Sequence, residues 1–123
     1  MKLKSLLVIA VLFFISCKQP TKEITNITVE DLKTEMSNNI QLLDVRTPEE
    51  WEQGSIKSAL KINVNSDDFE KQALSKLSKK EPVYVYCKSG GRSLVASEIL
   101  VSKGYKVYNV LGGYDEWKEK NKE

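Results

Sequence analysis

The chain has no histidine, and of its 19 basic residues only Arg46 and Arg92 are arginine. The first absence removes Ser-His-Asp and Cys-His nucleophilic machinery and any histidine-ligated metal. The second singles out the two arginines as candidates for fork-like hydrogen bonding, which the point charge of a lysine does not supply. Cysteine is limited to Cys17 and Cys87. Charge of one sign is not in excess either, with 19 basic against 17 acidic residues and a formal net charge of +2. Such a balance argues against nucleic acid as a partner, because that needs a concentrated basic patch. No apolar run approaches the roughly 20 residues of a membrane-spanning helix. The 123 residues suffice for one domain and are too few for two comfortable ones.

What is present begins with a leader. Lys2 and Lys4 make a basic start, Leu6 to Ile15 is an unbroken apolar run, and Phe14-Ile15-Ser16-Cys17 follows. The run fits a secretory signal of residues 1–16. The four residues resemble a bacterial lipobox, which implies that Cys17 receives lipid and becomes the new N-terminus. Residues 17–23 then read as the lipidated cysteine and a polar tether, and residues 24–123 as the domain. Cleavage before Cys17 leaves 107 residues and removes Lys2 and Lys4, so that 17 basic face 17 acidic residues. It also leaves Cys87 as the single free thiol. The expected location is the bacterial cell envelope, with the lipid in a membrane and the domain in the periplasm or at the cell surface.

Along the domain, short apolar segments alternate with helix signals. Ile24 to Thr28 reads as a strand, and Thr28 caps a helix with acids in its first turn. Ile40 to Val45 is a mostly apolar and therefore buried strand. Thr47-Pro48-Glu49-Glu50 is a capping box with proline at the first helical position, Trp51 anchors that helix, and Gly54 ends it. Ala59 to Val64 alternates as an edge strand. Ser66-Asp67-Asp68 is expected to cap a helix with Phe69, Ala73, Leu74 and Leu77 as its apolar stripe. Val83 to Tyr86 is a buried strand. Ser93 to Lys103 is a helix whose apolar face is expected to be Leu94, Val95, Ile99 and Leu100. Tyr105 to Val110 is the last strand, followed by a Leu111-Gly112-Gly113 turn and a final helix with Trp117 on its apolar side. Strands alternating with helices over short connections predict an α/β fold, a mostly parallel sheet covered on both faces.

The segment Cys87-Lys88-Ser89-Gly90-Gly91-Arg92-Ser93 joins a buried strand to a helix N-terminus, at the sheet edge where chemistry usually lies in such folds. With no histidine, a thiolate at Cys87 must be stabilised by backbone amides, a helix dipole and cations. Gly90 and Gly91 let successive amides turn inward as an anion nest, and Ser89 and Ser93 add hydroxyls. Arg92 has two readings: it binds an anion, or its fork pins loop carbonyls or a carboxylate such as Asp44 or Glu50. Lys88 is either a steering charge or a solvated one. Asp44 and Arg46 are read as bracing the loop from the neighbouring strand end. The competing reading of Cys87 is a small buried hydrophobe, which the polar, glycine-bearing surroundings oppose.

Three segments together resemble a single-domain rhodanese: Leu43-Asp44-Val45-Arg46-Thr47-Pro48-Glu49-Glu50-Trp51, the loop from Cys87 to Ser93, and Leu111-Gly112-Gly113 with Trp117. Their order and spacing match over about residues 24–120. The resemblance implies the rhodanese-like three-layer fold with about five parallel strands. It also implies sulfurtransferase chemistry, with Cys87 cycling between thiolate and persulfide. The implied partners are a small anionic sulfur donor such as thiosulfate and a thiol, cyanide or protein acceptor; a monomer without cofactor or metal is expected. The family's usual Gly-His-Ile-x-Gly-Ala stands here as Gly54-Ser55-Ile56-Lys57-Ser58-Ala59, which bears on substrate preference or turn geometry. Two rival readings remain. A cysteine phosphatase has five residues between Cys and Arg, whereas this loop has four, 88 to 91. A lipid-anchored module that binds a partner or only carries sulfur is the other.

Overall fold

The computed structural model describes residues 23–122; the leader, Cys17 and most of the tether lie outside them. The described chain runs β1 (Ile24–Ile27), α1 (Val29–Glu35), β2 (Gln41–Asp44), α2 (Pro48–Glu52), β3 (Leu60–Lys61), α3 (Phe69–Lys76), β4 (Val83–Tyr86), α4 (Gly91–Ser102), β5 (Val107–Val110) and α5 (Gly113–Lys120). The five strands form one sheet in the order β1-β5-β4-β2-β3, with every pairing parallel. The expected α/β architecture is therefore observed. Among the described residues no helix is long and apolar enough to cross a membrane.

β4 lies at the centre, and all four of its residues are buried. A parallel strand covered on both faces reads as a continuous apolar run, which explains Val-Tyr-Val-Tyr. Its alternation divides the core. Val83 and Val85 pack with Phe69, Ala73, Ala96 and Leu100 on the α3/α4 side. Tyr84 and Tyr86 pack with Val29, Leu32 and Val110 on the other, where Tyr114 and Trp117 close over them. The same period of two carries Cys87 onto the α4 side.

The expected Thr47 capping box forms, and the expected Thr28 cap is a second one. The Thr28 hydroxyl takes the Asp31 amide while Asp31 takes the Thr28 amide, and Thr47 and Glu50 do the same. Four expectations are corrected. The start of α3 carries no side-chain cap at Asp68; the Phe69 amide instead donates to the Ser66 carbonyl at 3.1 Å. Leu74 is exposed rather than part of the α3 stripe. In α4, Leu94 and Val95 are 43 % and 52 % exposed, and the buried face is Ser93, Ala96, Ser97 and Leu100. A small-residue face lets α4 lie close against β4 and β5, and Ser97 meets its polar need internally, donating to the Ser93 carbonyl at 2.7 Å. The strand expected over 59–64 shrinks to Leu60–Lys61, yet Ile62 and Val64 still donate to Asp44 and Val45 carbonyls at 3.0 and 3.1 Å.

Candidate active site

Cys87 follows directly on β4 and is 1 % exposed. The chain turns over its sulfur through Lys88, Ser89 and Gly90 and enters α4 at Gly91. Gly90 has φ +133°, a conformation open to glycine and strained for other residues. That geometry points its amide back at Cys87 Sγ, 3.0 Å away. The Ser93 hydroxyl lies 3.4 Å from Sγ and donates to the Gly90 carbonyl at 3.0 Å. Burial works to raise the thiol pKa, but the Ser93 hydroxyl and the amides of Ser93, Gly90 and Ser89 outweigh it, leaving the thiol below its ordinary value. The cause is hydrogen bonding to sulfur in a closed loop.

α5 holds this loop from the other side. Its first amides donate to loop carbonyls, Tyr114 to Cys87 at 2.8 Å and Asp115 to Lys88 at 3.1 Å. The contact requires Gly113, whose φ is +56° and where a Cβ would lie 2.5 Å from the Cys87 oxygen. Gly112 precedes it at φ +80°, so the glycine pair turns the chain from β5 into α5 at the distance the loop needs.

The two loop cations are both engaged. Arg92 makes a bidentate pair with Glu50, Nη1 to Oε1 at 2.5 Å and Nη2 to Oε2 at 2.9 Å. The α2 capping box orients that carboxylate, since Glu50 Oε1 also accepts the Thr47 amide and hydroxyl. The Arg92 hydrogen bond holds the Glu50 carboxyl at a pKa of about 2, against the opposing effect of partial burial. Lys88 is largely exposed, with Nζ 3.9 Å from Asp115 Oδ2.

Asp44 and Arg46 form a separate buried knot. Asp44 accepts Arg46 Nη2 at 2.7 Å, the Tyr86 hydroxyl at 2.6 Å and Trp51 Nε1 at 3.2 Å. Arg46 also donates to the Gly54 carbonyl at 2.8 Å and lies 4.2 Å from the centre of the Tyr114 ring. The Tyr86 hydroxyl in turn accepts the Ile56 amide at 3.0 Å. Among the described hydrogen bonds none joins Asp44 or Arg46 to residues 88–93. They reach the loop through Tyr86, which precedes Cys87, and Tyr114, whose amide holds the Cys87 carbonyl. Ser55 lies beside this knot and lines a groove with Tyr114, Asp115, Trp117 and Lys118.

The structure thus brings Cys87, Ser89, Gly90, Gly91, Arg92 and Ser93 together, sets Lys88 at the rim and leaves Asp44 and Arg46 as a second layer. Sequence reasoning missed Tyr86, Tyr114 and Gly113 as parts of the site. The Gly-Gly pair before a helix was the available signal for Gly113. Among the described residues no group of three or more His, Cys, Asp or Glu side chains is arranged to hold a metal.

A parallel α/β sheet carrying a cysteine in an amide-lined loop at its carboxyl edge defines a class built around that cysteine loop. Residues 28–120 match the family model described as a rhodanese-like domain, and the chain belongs to that family. Thiosulfate sulfurtransferase 18 of Arabidopsis thaliana is 36 % identical over 115 residues, covering 84 % of this chain and 85 % of that protein. A sulfurtransferase of Allochromatium vinosum is 35 % identical over 82 residues, 66 % of this chain and 74 % of its own. The crystal structure of a rhodanese-like domain protein from Staphylococcus aureus superposes with a TM-score of 0.69 at 33 % identity, covering 76 % of this chain and 91 % of that one.

Proposed function

We propose that this protein is a sulfurtransferase that moves a sulfane sulfur from a small anionic donor such as thiosulfate to a thiophilic acceptor through a persulfide on Cys87. The observation that carries the reading is the Gly90 amide 3.0 Å from Cys87 Sγ, within a loop that lowers the thiol pKa without any histidine. The thiolate attacks the donor's outer sulfur, a new S–S bond forms, and the donor's S–S bond breaks with its electron pair leaving on sulfite. The persulfide anion stays under the inward amides of the loop. A thiol, cyanide or protein acceptor then attacks the outer sulfur and the Cys87 thiolate leaves; with cyanide the product is thiocyanate.

In this reading Cys87 is the catalytic residue and Ser89, Gly90, Gly91 and Ser93 bind sulfur through amides and hydroxyls. Lys88 steers the donor, Arg92 shapes the loop through Glu50, and Asp44 and Arg46 support it from beneath. Arg92 has both terminal nitrogens on Glu50, which works against a phosphatase, where a tetrahedral phosphate needs that fork. The proposal includes a lipid on Cys17 that tethers the domain to a membrane of the cell envelope.

The test is an assay of the purified full chain. Thiosulfate plus cyanide yields thiocyanate, mass spectrometry after thiosulfate alone shows one added sulfur, and Cys87→Ser shows neither. Turnover of a phosphate monoester without sulfur transfer, or no activity and no persulfide, refutes it; the latter favours a binding module. For the anchor, labelled palmitate is expected on the wild type and not on Cys17→Ala.

A further inference from the structure

Each loop cation is met by a carboxylate from a different element. Glu50 of α2 takes Arg92, and Asp115 of α5 faces Lys88 at 3.9 Å. Asp115 is brought there by backbone, because its own amide donates to the Lys88 carbonyl at 3.1 Å. With the Cys87 thiolate, two cations and two carboxylates give the site one net negative charge. Loop amides and the α4 N-terminus offset that charge at a single sulfur anion. They provide no further cation for a donor that carries a second charge. Thiosulfate is such a dianion. A thiosulfonate, in which a carbon group replaces one oxygen anion, presents the same outer sulfur with a single charge, as does a thiol persulfide.

We propose that Asp115 is a specificity-determining residue that sets the site toward singly charged sulfane donors, thiosulfonates and persulfides, and against dianionic thiosulfate. The inference rests on the sulfurtransferase reading above. With either class the Cys87 thiolate forms the new S–S bond and the donor's S–S bond breaks. The leaving pair departs on sulfite from thiosulfate, on a sulfinate from a thiosulfonate and on a thiolate from a persulfide, so no outside oxidant or reductant takes part. What differs at the rim is one unit of charge facing Asp115.

The experiment measures rates of Cys87 persulfide formation in the full chain with thiosulfate and with methanethiosulfonate, at low ionic strength. The Asp115 and Lys88 side chains are both largely open to solvent, where a unit charge several ångströms away across water is worth about RT, so Asp115→Asn is expected to raise the thiosulfate-to-thiosulfonate rate ratio about two- to threefold. Lys88→Gln lowers the ratio by a similar factor, and the double variant returns it near wild type. At roughly 0.5 M salt, where the Debye length is only a few ångströms, the changes vanish. A merely structural role for Asp115 would scale both donors together, and that result, an unmoved ratio or a shift that survives salt overturns the inference. Loading by both donors with an unmoved ratio leaves sulfur transfer standing, whereas loading by neither in the wild type refutes the sulfurtransferase reading along with it. If Asp115→Asn folds poorly, Asp115→Ser removes the same charge, and an unmoved ratio there overturns the inference.

Discussion

Gly113→Ala tests whether α5 holds the cysteine loop in place. A Cβ there would lie 2.5 Å from the Cys87 oxygen and 2.6 Å from the Lys88 oxygen, both backbone atoms with little freedom to retreat. The φ of +56° alone costs an L-residue about 1–2 kcal/mol. Relief of the clash pulls α5 from the loop and weakens the Tyr114–Cys87 and Asp115–Lys88 hydrogen bonds, adding roughly 1–3 kcal/mol. The stiffer unfolded chain returns about 0.4–1 kcal/mol. The net loss is centred on about 3 kcal/mol, within a range of roughly 1–4.5 kcal/mol, a large share of the roughly 5–15 kcal/mol of a typical domain. Gly91→Ala is the control: no atom lies within 4 Å of its Cβ and its φ is not positive, so it is expected to stabilise by about 0.4–1 kcal/mol. Urea unfolding measures both stabilities, and persulfide loading by mass spectrometry reports the loop. A Gly113→Ala protein within about 1 kcal/mol of wild type that loads sulfur normally refutes the positioning role of α5.

Other expectations follow from the same geometry. Tyr86→Phe removes a donor from buried Asp44 and the acceptor of the Ile56 amide, and is expected to cost about 2–4 kcal/mol in urea unfolding. Glu50 has its pKa lowered to about 2, so the stability it contributes is present above its unfolded pKa and is lost as pH falls through the folded value. Glu50→Gln, which breaks a pair partly open to solvent, is expected to cost about 1–2 kcal/mol at pH 7 and to flatten the pH dependence of stability between about pH 4.5 and 2. The Cys87 thiol is also lowered, so its contribution is present above the ordinary thiol pKa and lost as pH falls through the folded one. Thiolate absorbance near 240 nm is expected to titrate below the ordinary thiol range in the wild type and higher in Ser93→Ala. An unchanged midpoint in Ser93→Ala would show that the hydroxyl does not act on sulfur.

Much of the fold is carried by local pattern. The Val83–Tyr86 run, the Thr28 and Thr47 capping boxes and the glycines after Cys87 each specify structure within a few residues, so the alternation of strands and helices is legible without the third dimension. The lack of histidine likewise assigns thiolate stabilisation to amides, dipole and cations before any coordinate is known. Periodicity failed where burial depends on distant partners. In α4 two large apolar residues, Leu94 and Val95, face solvent, while Ser93, Ala96 and Ser97 join Leu100 against the sheet because close helix–sheet approach favours small side chains. The same limit applies at the site. Strand order places β4 between β2 and β5, and with α2 and α5 packed on that sheet it brings Glu50 to Arg92, Asp44 to the Tyr86 hydroxyl and the α5 amides to the Cys87 and Lys88 carbonyls. Residues 42 apart in the chain share a hydrogen bond only after the sheet has assembled. The sequence by itself determined that a cysteine sits in an amide-rich loop. Which charges that loop keeps free, and which carboxylates take them up, was decided by the packing of α2 and α5 against it.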